Sequence, residues 1–160
     1  MTENGLSEPP PGILVPTLER LDLSYQHPHF YVYNDTFNGN SRMKFLSLDG
    51  NRIKNIFVNS LRGMFSLEEL RLSNMPVLEH IDETAFVHVP GLKKLDLSRN
   101  PMLSGITDRT FLGLYNLEEL NLAFSSNIAT SKGGIISEGI FNLVTFSKNP
   151  NQITALIMSI

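Results

Sequence analysis

The feature that most narrows the folds open to this 160-residue chain is a phrase of leucines that returns every 24–25 residues. Written LxxLxL, it stands at Leu18, Leu21, Leu23; at Met43, Leu46, Leu48; at Leu67, Leu70, Leu72; at Leu92, Leu95, Leu97; and at Leu117, Leu120, Leu122. The middle leucines step by 25, 24, 25 and 25 residues, and a degenerate copy, Phe141, Val144 and Phe146, falls 24 residues beyond Leu120. Self-similarity at such a period marks stacked supersecondary units, each too small to bury its own apolar face. A second set of anchors follows each phrase, a β-branched residue and then a larger one: Val32/Phe37, Ile56/Leu61, Ile81/Phe86, Ile106/Phe111. The fifth repeat keeps Ile136 but has Ser131 where the branched residue belongs.

The LxL alternation puts two leucines on one face of a short strand and the variable residues on the other. Stacked coils pair these strands in parallel, and the second anchors close a convex return path. The predicted class is therefore α/β, a curved parallel sheet on the concave face with irregular or short helical convex segments. A lead-in spans residues 1–17, and an array spans 18–160, with repeats starting near 18, 43, 67, 92, 117 and 141, the last degenerate and incomplete. The turn leaving each strand carries Asn51, Asn100 and Asn149 in alternate repeats but Gln26, Met75 and Ser125 in the others, so no complete asparagine ladder is expected.

Residues 67–122, LEELRLSNMPVLEHIDETAFVHVPGLKKLDLSRNPMLSGITDRTFLGLYNLEELNL, resemble the 24-residue class of animal extracellular leucine-rich repeat proteins, which includes Toll-type receptors and axon-guidance or matrix proteins. The resemblance extends over about residues 18–153. It implies a leucine-rich repeat solenoid acting as a protein-interaction module, commonly through its concave face. The implied setting is a cell-surface or secreted, glycosylated, receptor-like or matrix protein with a protein ligand or co-receptor. The chain departs from that class in lacking cysteine-rich caps, since it has no cysteine. A fragment of a larger receptor is one explanation and an intracellular scaffold the other; structural spacer repeats are the alternative role.

Composition removes several function classes. With 13 Lys+Arg against 16 Asp+Glu the formal charge is −3, which gives no pull toward nucleic acid or an anionic membrane. Absent cysteine excludes disulfides, thiol catalysis and Cys-ligated zinc. MTENGLSEPPPGILVP has no basic region and apolar core of a secretory signal, and the apolar ITALIMSI is too short to insert in a bilayer. No GxSxG, GxGxxG, P-loop or HExxH pattern is present, so no enzyme and no cofactor is expected. His27-Pro28-His29 offers two imidazoles where zinc takes three or four ligands; it reads as a loop, and no metal site is expected. Apolar ends at Ile13 to Val15 and Ile153 to Ile160 predict marginal stability or self-association.

The tract HPHFYVY, 27–33, alternates so that Phe30 and Val32 face one way and Tyr31 and Tyr33 the other, unless the whole loop folds over as a lid. It runs into the acceptor triplet Asn34-Asp35-Thr36, which makes Asn34 a candidate glycosylation site. Down the concave face the first variable column reads Glu19, Lys44, Glu68, Lys93, Glu118, alternating in sign. Because neighbouring strands lie about 4.8 Å apart, this column is either a self-neutralising ladder or part of a recognition surface. Candidate ligand-binding residues are Phe45, Arg71, Asp96, Asn121 and Phe124, the two phenylalanines because exposed rings anchor interfaces.

Overall fold

The computed structural model describes residues 5–10, 14–26 and 30–125, together with a strand at 155–157. In chain order the strands are β1 (Arg20–Asp22), β2 (Phe45–Ser47), β3 (Asn55–Ile56), β4 (Glu69–Arg71), β5 (His80–Ile81), β6 (Lys94–Asp96), β7 (Glu119–Asn121) and β8 (Ala155–Ile157). The five clear phrases become β1, β2, β4, β6 and β7, which pair in parallel in that order. Leu21, Leu46, Leu70, Leu95 and Leu120 stand directly abreast. That register follows from the sequence: a slip of one residue would send every leucine to the solvent face.

The sheet continues from β7 to β8, where Leu120 is paired with Leu156. The terminal stretch that reads as an apolar tail thus supplies a strand, at a step longer than the repeat. The sixth phrase at Phe141, Val144 and Phe146 lies outside the described residues, as do Ser131, Ile136 and Asn149.

On the return path β3 and β5 form a two-stranded parallel sheet, and a 3-10 helix spans Asp108–Phe111. There is no α-helix among the described residues. The convex segments close instead in successive three-residue turns, such as Ala85 N–H to the Asp82 carbonyl, Val87 to Thr84 and Val89 to Phe86. Such i to i−3 bonds hold only short pieces, which is why the helical part of the expected class shrinks to one turn.

The core has two rows. The strand leucines form one, and Phe37, Leu61, Phe86 and Phe111, all buried, form the other. Phe86 and Phe111 stack in parallel, with ring centroids 6.3 Å apart. Phe30 and Val32 join the core while Tyr31 and Tyr33 stay outside, so residues 30–33 alternate as an extended segment should. The lead-in covers part of the first coil: Leu6 and Leu14 pack on the core, and the Tyr31 N–H donates to the Ser7 carbonyl. Val15 remains exposed, and Ile13 lies outside the described residues. Among the described residues no helix is long and apolar enough to cross a membrane.

Two asparagines tie the strand exits together. Asn51 Nδ2 donates to the carbonyls of Leu23 and Leu48, and its Oδ1 accepts the Gln26 N–H. Asn100 repeats this with Leu72, Leu97 and Met75. Each amide thus serves its own coil and the one before, and the partial ladder covers alternate junctions. The Ser125 hydroxyl adds a bond to the Leu97 carbonyl and accepts the Asn100 N–H.

Candidate functional site

The concave surface is built from the strand positions that the leucine core leaves free. Three ion pairs cross between its strands. Lys44 meets Glu19 at 3.0 Å, Lys93 meets Glu68 at 2.7 Å and Lys94 meets Glu119 at 3.0 Å. Arg71 turns along its own strand to Glu69, at 2.7 Å. The alternating column therefore forms two separate pairs, Glu19–Lys44 and Glu68–Lys93, rather than a continuous ladder: among the described residues no ion pair joins Lys44 to Glu68 or Lys93 to Glu118. The hydrogen bond from Lys93 holds the Glu68 carboxyl below its ordinary range, and the same bond holds the Lys93 ammonium above its own. Lys94 is raised likewise by Glu119.

At the centre, β4, β6 and β7 enclose a shallow depression of about 260 Å³. Its walls are Glu69, Arg71, Lys94, Asp96, Glu119 and Asn121, over Leu70 and Leu95. Three of the five candidate residues meet here, because Arg71, Asp96 and Asn121 occupy one row of the register. Two of them also have a structural task. Asp96 Oδ1 accepts the Ser98 N–H at 2.9 Å and Asn121 Oδ1 accepts that of Ala123 at 3.1 Å, which caps the turn where each strand ends. Asp22 does the same for Ser24 in the first coil. Burial works to raise the Asp22 carboxyl, but the Ser24 hydroxyl and N–H outweigh it and the net shift is downward.

Phe45 is not the exposed anchor that its variable position implied. Only 5% of it is accessible. The Arg20 guanidinium lies 3.5 Å above its ring and that of Arg71 is 5.4 Å away. A ring between two cations on flanking strands is attracted through its quadrupole and roofed by their methylene stems. Phe45 is thus a platform that positions two arginines, and Arg20, absent from the candidate residues, is the group it presents. The missed signal lay in the neighbouring columns: Arg20 is paired with Phe45 in the register, and Arg71 stands two residues diagonal to it.

Phe124, by contrast, is 57% exposed. It lies beside the sheet, in a column of left-handed residues that leave the strands: Tyr25, Gly50, Asn74, Arg99 and Phe124, with φ between 52° and 70°. Gly50 is needed there twice over, since a Cβ would also sit 2.2 Å from the Tyr25 ring that lies on it. The Arg99 guanidinium stands 4.9 Å from the Phe124 ring, so the second expected aromatic is a rim residue with a cation on it. His27 and His29 lie outside the described residues, and among those described no cluster of His, Asp and Glu is arranged to hold a metal.

A leucine-rich repeat family profile matches residues 66–127, which run from just before β4 to just past β7. Over those residues the solenoid is a leucine-rich repeat array. A solved structure of TLR13, a Toll-like receptor, in complex with ssRNA13 matches it at 28% identity with a TM-score of 0.59. The match covers 66% of this chain and 14% of the receptor chain, so the leucine-rich repeats described here span a small part of that protein's length. No curated protein sequence matches the chain. Repeat family and receptor likeness together support a protein-interaction module.

Proposed function

We propose that this leucine-rich repeat array is a non-catalytic module that binds a protein ligand or co-receptor through its concave face, in a cell-surface or secreted receptor-like protein. The observation that carries the reading is the central depression, where Arg71, Asp96 and Asn121 meet in one row. The depression is preformed and lined mainly by charged and polar groups, a surface that suits polar side chains of a protein partner. Around it stand groups that a partner can re-pair, with Arg20 held by stacking at one side and Phe124 exposed at the rim. The solved TLR13 structure contains RNA, but the concave columns here hold more carboxylates than cations, which opposes a polyanion.

The spacer role keeps one observation in its favour, the three ion pairs that cross between strands. The test is to identify a partner by crosslinking to the full-length protein and to titrate it against charge-reversed and truncated arrays. Arg71→Glu, Asn121→Arg and Phe124→Ala should each weaken binding by roughly tenfold or more, about 1.4 kcal/mol, beyond what any loss of folded array explains; Phe124→Ala, at an exposed ring, should do so with unchanged melting. Wild-type affinity in all three would favour the spacer.

A further inference from the structure

Two tyrosine rings stand exposed on the convex side of the first coil. Tyr31 and Tyr33 are 48% and 56% accessible, and they stack on each other with centroids 5.7 Å apart and planes inclined by 20°. The chain then enters a tight turn in which the Thr36 N–H donates to the Tyr33 carbonyl at 3.3 Å and Asp35 is left-handed, at φ 62°. Asn34 occupies the apex of that turn. It is exposed, and its side chain makes no hydrogen bond among the described residues.

Thr36 needs no special explanation. Its hydroxyl accepts the Tyr33 N–H at 2.7 Å, just as Ser60 accepts that of Phe57 and Thr110 that of Thr107 in later coils. Asn34 and the tyrosine stack do need one. The residues equivalent to Asn34 in later coils are Val58, Glu83 and Asp108, and those equivalent to Tyr33 are Phe57, Asp82 and Thr107, so the turn itself calls for neither an amide nor a ring pair.

We propose that Asn34 is the attachment point of an N-linked glycan and that the Tyr31–Tyr33 stack is the bed on which its first sugar lies. The proposal rests on the secreted or cell-surface reading above. Asn34-Asp35-Thr36 is the one acceptor triplet of this kind in the sequence. In the transfer, the Asn34 amide nitrogen attacks the anomeric carbon of a lipid-linked oligosaccharide diphosphate. The N–C1 bond forms and the C1–O bond to the diphosphate breaks. The lipid diphosphate leaves with that electron pair, one Nδ2 proton passes to a base of the transferase, and nothing is oxidised. In the folded chain the apolar C–H face of the sugar then covers tyrosine surface that the described residues leave open. The glycan shields the convex side and leaves the concave sheet open.

The test begins with the chain expressed behind a cleavable secretion signal in animal cells. Intact mass before and after peptide N-glycosidase should show one glycan, absent in Asn34→Gln and retained in Thr36→Ser. The N-acetyl methyl of the first sugar should resonate upfield, within the ring currents of the tyrosines, and should return to its ordinary shift in a Tyr31→Ala/Tyr33→Ala variant that still carries the glycan. A folded, secreted chain with a bare Asn34 overturns the site, and a methyl shift indifferent to the tyrosines overturns the bed. Full-length protein from its own cells separates the premise from the site. A glycan there supports both, whereas a bare Asn34 there beside a modified secreted chain overturns the compartment.

Discussion

Replacing Asn100 with alanine tests whether buried amides, rather than the leucines alone, clamp one coil to the next. Asn100 is fully buried. Its Nδ2 donates to the carbonyls of Leu72 and Leu97, both at 2.8 Å, and its Oδ1 accepts the Met75 N–H at 2.9 Å. After truncation the Leu97 carbonyl keeps the Ser125 hydroxyl, at 2.9 Å, but the Leu72 carbonyl and the Met75 N–H lose the side chain that satisfied them. Two buried groups left unpaired cost about 1–3 kcal/mol each. A water entering the vacated amide space offsets part of this, so the expected loss is about 3 kcal/mol. The assay is urea unfolding of parent and variant with the denaturant slope compared, alongside Asn116→Ala. Asn116 is exposed and makes a single bond to the Pro90 carbonyl, so that change should stay within about 0.5 kcal/mol. Asn100→Asp adds a second readout. Its carboxylate would face two carbonyl oxygens, raising its folded pKa above the ordinary value of about 3.9. The variant should be closest to the parent below that pH and lose stability as the pH rises through the raised value. An Asn100→Ala array within about 1 kcal/mol of the parent would show that the side-chain ties contribute nothing the leucine stack does not already supply.

Phe86 is fully buried against Phe111, so Phe86→Ala should lose on the order of 3–5 kcal/mol, while the half-exposed Val87→Ala should lose under about 1 kcal/mol; equal melting temperatures for the two variants would mean the convex row is misassigned. Phe45→Ala removes a buried ring and the bed of two guanidinium groups, and should lower stability by about 2–4 kcal/mol; a stable variant with weakened ligand binding would return Phe45 to the contact surface. The Glu68–Lys93 pair should stabilise the array at intermediate pH, fading as acid protonates Glu68, whose folded pKa lies below the ordinary 4.5, and as base deprotonates Lys93, whose folded pKa lies above the ordinary 10.5. Melting temperatures of parent and Glu68→Gln/Lys93→Met should converge at both extremes, and a difference that does not vary with pH would refute the linkage. Gly50→Ala should be destabilising by more than the roughly 1–2 kcal/mol of a left-handed alanine, because its Cβ would meet the Tyr25 ring at 2.2 Å; a loss smaller than that would mean the ring swings away at no cost.

The parallel sheet is legible in the sequence because its cause is strictly periodic. A leucine at each inward position of each coil leaves one register that buries them all, and Leu21 to Leu120 stand abreast accordingly. Where the cause is a pair of residues on different coils, the same columns mislead. Phe45 sits at an outward position and reads as exposed, yet Arg20 and Arg71 reach it from the strands on either side and close over it. Asp96 and Asn121 read as free recognition groups, yet each spends one oxygen on the N–H two residues ahead. The strand at 155–157 breaks the repeat step and so carries no periodic signal at all.

These failures share a physical root that bears on the binding face. On a concave sheet the side chains of adjacent strands stand closer than their own length, so long cations and carboxylates satisfy one another before any ligand arrives. A residue's availability there is set by its cross-strand neighbours rather than by its facing. Arg71 illustrates the consequence: it lies in the depression, but a ligand carboxylate must displace Glu69, 2.7 Å away. Arg20 makes no ion pair among the described residues and is held at the Phe45 ring, so it loses less freedom on binding and need break no ion pair among them. Of the two arginines on the Phe45 platform, Arg20 is therefore the one expected to contribute more affinity to an acidic group of the partner.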